Sequence, residues 1–332
     1  MALDHYVSQV HLRKFYAPSL GKKKMYATRK HDLKTFPCGS EDVCRIEAGS
    51  TTPYLKHPRA IEEFLKLVEP RYSTACEAFE AGVPIREDVL AIAGFAAFIL
   101  ACSPTMLRIS EASFSELVRL EAAILDRADL LPKSPPELGG KTLSELFAED
   151  AVAVTIDRKY PQALGISAFT DVTTTFGNFA WEALRNPFED SPFFTSDFPV
   201  ALEHSRDPAI VIRIIPLTPR LAIRIIPRLD LKEEELKPSF PHFRFRRREL
   251  SRRQVVSVNR AIVRSAENLV FHVIEAPWIR TFIDRNSEFW VHPEITVLPT
   301  ETGFFKLTRT VLREKAGHRR VGPAEADDHN CV

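Results

Sequence analysis

The chain has 332 residues, of which 45% are hydrophobic and 27% charged, and a net charge of +1. This fits an ordinary folded, soluble protein. It excludes a whole-protein field that would draw in nucleic acid or membrane, so any such attraction must come from a local patch. The five cysteines, Cys38, Cys44, Cys76, Cys102 and Cys331, form no CxxC pair and no zinc-type spacing. Reduced thiols in a cytoplasmic protein are expected. The N-terminus lacks the apolar core of a signal peptide. The longest apolar run, residues 89–102, falls short of the roughly 20 residues that span a bilayer, so no membrane partner is expected. With 12 glycines the chain has no Gly-rich phosphate loop or dinucleotide fingerprint, and no cofactor is assigned.

In chain order, a short helix is expected after Asp4 or Ser8, with Val10, Leu12 and Phe15 inward. Residues 22–29 and 36–46 read as a small β segment. Ile61, Phe64, Leu65 and Val68 recur at helical spacing, with Pro70 as the expected stop. Residues 72–81 resume a helix, which Gly82 and Pro84 break. Residues 86–102 are apolar on nearly every side and predict a central buried helix. Residues 107–131 read as one or two amphipathic helices, 133–141 as a loop and 143–150 as helix; 151–157 is ambiguous. Short strands are expected at 180–184, 193–196, 271–274, 289–291 and 304–308. Ser251 and Gln254 have capping-box spacing and open a helix over 251–266.

Residues 209–229 carry the strongest β signal. Two Ile/Val-rich runs flank Pro216-Leu217-Thr218-Pro219, read as a hairpin with a four-residue loop. If Ile215 pairs with Arg220, Arg213, Arg220 and Arg224 share one face, and Ile210, Ile212, Ile214, Leu221, Ile223 and Ile225 share the other. The expected class is α+β: an N-terminal β segment, a helical block over about residues 55–150, then a mainly antiparallel sheet over about 178–310 with one embedded helix. A single domain over 1–314 and a polar tail over 315–332 follow.

Three stretches carry a resemblance: Asp4-His5-Tyr6-Val7-Ser8-Gln9, Thr195-Ser196-Asp197-Phe198-Pro199-Val200 and Pro216-Leu217-Thr218-Pro219-Arg220. The layout of Asn259-Arg260, Ala266 and Val270 adds a fourth. The chain resembles a mostly bacterial domain-of-unknown-function family whose members open with His-Tyr-Val-Pro-Gln and later carry Thr-Ser-Asp-Asn-Pro. Ser8 stands where that family has Pro, and Phe198 where it has Asn. The resemblance implies shared architecture and brings no established activity.

The candidate catalytic residues are His5, Gln9 and Asp197. His5 reads either as a general acid or base, from its near-neutral pKa, or as a histidine bonded to backbone at a helix start. Asp197 reads as an orienter of His5, a metal ligand or an Asx-turn carboxylate. Asn259 lies within an apolar helical stripe, so it is either a structural tie or a ligand contact. Arg213, Arg220, Arg224, Asn259 and Arg260 are the candidate phosphate- or ligand-binding set. Arg244, Arg246, Arg247, Arg248, Arg252, Arg253, Arg260 and Arg264 crowd one stretch with Phe240, Phe243 and Phe245 at its start. That mixture suits nucleic acid, and equally a solvated basic face. The expectation is a nuclease-like, phosphodiester-cleaving effector of bacterial conflict or phage defence. The alternative is a non-catalytic module that binds nucleic acid or protein. No metal site is assigned, and no oligomeric state.

Overall fold

The structure is a computed structural model describing residues 3–205, 207, 210–300 and 303–315. Apart from Lys315, the expected polar tail lies outside the described residues, as does Cys331.

The chain opens with β1 (Leu3–His5), α1 (Gln9–Leu12), β2 (Met25–Arg29), β3 (Thr35–Cys38) and β4 (Arg45–Glu47). β1 pairs antiparallel with β4, so His5 sits at a strand end rather than on a helix with Gln9. Ser8 occupies the cap position of α1, but its hydroxyl bonds Glu69 instead of the helix backbone.

The helical block follows: α2 (Ala60–Ala81), α3 (Arg86–Cys102), α4 (Pro104–Arg127), α5 (Leu143–Ala148), α6 (Lys159–Ser167) and α7 (Phe169–Asn178). Pro70 does not end a helix; it lies inside α2. An interior proline costs roughly 3 kcal/mol. Burial of Val68 before it and Tyr72, Ala75 and Phe79 after it on one face offsets that cost. Gly82, at φ 84°, ends α2 in the left-handed conformation that glycine adopts freely. α3 is the central buried helix. A Cβ at Gly94 would lie 2.7 Å from Val68 Cγ2, so the missing side chain is what lets α2 and α3 approach. Pro104 opens α4, and the Ser103 hydroxyl accepts from Met106 N–H. The sequence reading had no helix at α6 or α7. The run Thr173-Thr174-Thr175 disfavours helix, and packing of α7 against α3 overrides that preference.

The remainder is β5 (Ala180–Arg185), β6 (Thr195–Ser196), β7 (Ala201–His204), β8 (Val211–Thr218), β9 (Leu221–Ile226), β10 (Arg244–Glu249), α8 (Arg252–Ser265), β11 (Leu269–His272), α9 (Pro277–Asp284), β12 (Phe289–Pro299) and β13 (Phe304–Glu314). The architecture is α+β. One sheet has the order β10-β5-β9-β8-β7, and only β10 lies parallel to its neighbour. A second, antiparallel sheet has the order β3-β2-β11-β6, and β12 and β13 form a separate ribbon. α2, α3 and α7 cover one face of the five-stranded sheet, burying Trp181, Ala183, Ile215, Ile223 and Ile225. α8 covers the other through Val255, Val258 and Ile262, against Leu184, Ile214 and Ala222. Trp181 stacks on Phe79 at 5.4 Å between ring centroids, and its indole N–H donates to Phe176 O at 2.8 Å.

The hairpin register differs from the sequence expectation. Arg213 pairs with Ile225, Ile215 with Ile223 and Pro216 with Ala222, and a bulge precedes a two-residue turn at Pro219-Arg220. The residue numbers of a pair sum to 438 in this register, against 435 for the expected Ile215–Arg220 pairing. An odd slip inverts one strand relative to the other. The three arginines therefore do not share a face. Arg213 points with Ile223 and Ile225 toward the helices, Arg224 lies on the α8 side, and Arg220 is in the turn.

Candidate anion-binding site

On the α8 side of the sheet, charges of alternating sign cross the strands. Glu182 of β5 accepts from Arg224 Nη1 of β9 at 2.9 Å and also pairs with Arg246 of β10. Arg224 Nη2 donates to Glu203 of β7 at 2.9 Å. Glu182 is buried, and the two guanidinium groups hold its carboxyl below the usual range against the opposing effect of burial. Arg224 is thus engaged by two carboxylates and is not free to take a phosphate.

The other predicted residues are also drawn into local bonding. His5 donates from Nε2 to Ser40 O at 3.1 Å, which leaves Nδ1 as an acceptor facing Gln9 Nε2 at 3.5 Å. Burial lowers the His5 pKa below the ordinary histidine value, so the ring is neutral at pH 7. Gln9 in turn accepts from Arg13 at 2.8 Å and from the Ser40 hydroxyl at 3.2 Å. Asp197 does not orient His5. Its buried carboxylate accepts three backbone N–H groups, from Glu267 at 2.9 Å and from Asn268 and Leu269 at 2.8 Å each. This clamps the chain as it leaves α8 for β11. Asn259 accepts from Phe194 N–H at 3.0 Å and donates to Pro192 O at 2.9 Å, tying α8 to the segment before β6. Arg220 pairs with Glu189 at 3.3 Å, and Arg260 is exposed on α8.

The N-terminal segment and the Asp197 bend do meet, through a residue the sequence reading passed over. His11 is fully buried, 2.7 Å from Tyr72 Oη through Nδ1 and 2.7 Å from Thr195 Oγ1 through Nε2. It stacks on Phe95, and burial lowers its pKa to about 3. The available signal was its position one turn after Val7 and one before Phe15, a spacing that puts it on an inward face. Next to Asp197 lies Lys30, whose ammonium donates to Ala266 O and Phe289 O at 2.7 Å each. Burial lowers Lys30 to about 7 and raises Asp197 to about 6, the latter against the pull of its N–H donors and of Lys30. Glu267 completes the cluster by pairing with Arg108 at 2.7 Å. Among the described residues no three His, Cys, Asp or Glu side chains are grouped to hold a metal ion. Cys38, Cys44, Cys76 and Cys102 are buried free thiols.

The solvent-facing chemistry lies along β10. Arg244, Arg246, Arg247 and Arg248 are all exposed on this edge strand. A cleft of about 290 Å³ beside it is lined by Arg244, Phe245, Arg246, Glu182 and Trp181. Arg253 and Arg260 of α8 are exposed as well, while Arg252 pairs with Asp190 at 2.9 Å.

A family model described as a protein of unknown function (DUF4238) matches residues 4–275. The chain belongs to the DUF4238 family. The matched span runs from β1 to just past β11 and leaves α9 and the β12–β13 ribbon outside it. Neither the curated proteins nor the solved structures contain a match to this DUF4238 chain. Among the described residues no single helix is long and apolar enough to cross a membrane.

Proposed function

We propose that this protein is a non-catalytic module that binds nucleic acid along the arginine-bearing edge of its five-stranded sheet. The observation that carries the reading is the cleft beside β10, lined by Arg244 and Arg246, with Arg248 exposed on the same face of the strand. Guanidinium groups take phosphate oxygens in pairs. Arg246 already shares Glu182, so Arg244 and Arg248, which have no ion pair among the described residues, are the stronger phosphate contacts. Charged side chains also keep an edge strand from pairing with other chains, and salt dependence separates the two roles.

Fluorescence anisotropy with labelled single-stranded RNA and DNA tests the proposal. Three phosphate contacts give a slope of log K against log salt of about −2, or roughly 20-fold weaker binding between 50 and 200 mM salt. Replacing Arg244 and Arg248 together with Gln should reduce that slope by about 1.4. No binding at low salt, or an unchanged slope in the double variant, would overturn the reading. The same mixtures, analysed with and without divalent metal, test for strand cleavage. Cleavage that disappears in His5→Ala protein would replace the binding module with the phosphodiesterase expected from the sequence.

A further inference from the structure

The register of the β8–β9 hairpin turns Arg213 toward the helices, opposite Ile225 and into a largely apolar setting. There it lines a solvent-connected cavity of about 380 Å³ between the sheet and α7. Val172, Phe176, Phe179, Val211 and Ile225 form most of the wall. Arg213 Nη1 is sealed from solvent and has no hydrogen-bond partner, and the side chain makes no ion pair among the described residues. Burial pulls its pKa down to about 10, with no carboxylate offsetting the effect, so it stays protonated at neutral pH.

Folding does not require this arrangement. Arg213 is half-buried with its Nη1 sealed, and leaving that cation unpaired carries a desolvation cost that a hydrocarbon side chain among those neighbours would not. The contrast with Arg224, one ladder position nearer the turn on the opposite face and held by two carboxylates, is direct. Buried polar groups in folded proteins are nearly always partnered, and an exception calls for a missing partner. The cavity volume is in the lower part of the range for small-molecule sites, and its mixture of apolar wall and one convergent polar group is typical of them. Asp171 also lines the cavity, where its carboxylate would repel a second negative charge on a ligand.

We propose that this cavity binds a small organic monocarboxylate, with the carboxylate on the Arg213 guanidinium and the hydrocarbon between α7 and the sheet. The site is separate from the β10 edge and does not depend on nucleic-acid binding there.

Calorimetric titration of the full chain with sodium octanoate, 1-octanol and inorganic phosphate tests it, together with the melting temperature of each variant. Octanoate should bind saturably and more tightly than octanol. Arg213→Met should weaken octanoate at least about tenfold, leave octanol unchanged and raise the melting temperature, because a half-buried, unpaired charge is removed. Val172→Trp keeps the arginine and fills the cavity, and it should abolish octanoate binding even if Arg213→Met fails to fold. Octanoate binding that survives either variant at full strength would overturn the proposal. So would phosphate binding as tightly as octanoate at this site, or the absence of saturable octanoate binding up to about 10 mM, a limit set by the weak end of small-ligand affinities. RNA affinity should be unaffected by both variants, so the two proposals can fail separately.

Discussion

Replacing Asp197 with Asn removes a charge while keeping nearly every atom, and the structure states what that charge holds. Oδ1 accepts the Glu267 N–H, and Oδ2 accepts those of Asn268 and Leu269. An amide oxygen can take over the Oδ2 position and keep two of the three bonds. Its NH₂ group must then face the Glu267 N–H, donor against donor. The orphaned N–H costs about 1–3 kcal/mol. Removing the charge also relieves the burial that raises the Asp197 pKa to about 6, which offsets the charge assistance lost from the other two bonds. The net loss is about 1–3 kcal/mol. At roughly 1.4 °C per kcal/mol for a chain of this size, the melting temperature should fall by about 1–4 °C. Differential scanning calorimetry at pH 7.5, with circular dichroism to confirm a folded start, measures it. A melting temperature equal to or above that of the wild type would refute the clamp and return Asp197 to the list of candidate catalytic groups.

Three further outcomes are expected. Glu182→Gln should lose about 3 kcal/mol in urea titration at pH 7, because Arg224 and Arg246 lose a shared, buried partner. Glu182 has a depressed folded pKa, so its stabilisation is present above the ordinary glutamate range and lost as pH falls through the folded value. The deficit of the Gln variant should therefore shrink in acid, and a constant deficit would contradict the ion pair. His11→Phe should cost about 2–4 kcal/mol by thermal melting, since the Tyr72 and Thr195 hydroxyls both lose their partner. A neutral result would mean that those hydroxyls re-pair easily. For Lys30, whose folded pKa near 7 lies below its ordinary value, the unfolded chain holds the extra proton above pH 7. Wild-type stability relative to Lys30→Met should therefore rise between pH 7 and pH 9, read from melting curves at each pH; a falling difference would be inconsistent with a buried, depressed lysine.

Much of the fold was legible in local patterns. The Ser251–Gln254 capping box marked the start of α8, and the continuous apolar run of residues 86–102 marked the buried α3. Strands β8 and β9 followed from Ile and Val enrichment. Other elements were hidden because tertiary burial reversed local preference. α7 is rich in threonine, and β10 reads as a charge cluster, yet both are ordered by packing against the sheet or pairing with β5. In the candidate site, Asn259 was legible as a buried amide from its place in an apolar stripe. His11 and Lys30 were missed because their partners lie far away in sequence, at Tyr72 and Thr195 for one and at Ala266 and Phe289 for the other.

By itself the sequence determined the α+β class, the central helix and the existence of a hairpin around Pro216–Pro219, since these follow from periodicity and turn chemistry within a few residues. Only the tertiary structure decided which face each arginine of that hairpin occupies. Either register buries a comparable set of isoleucines, so the strands alone hold little preference. Glu182 and Glu203 engage Arg224 on one side, while α7 and α3 cover the isoleucines of the other side and leave Arg213 beside a cavity. Those contacts come from segments distant in the chain, and they select the register that local hydrophobicity leaves open.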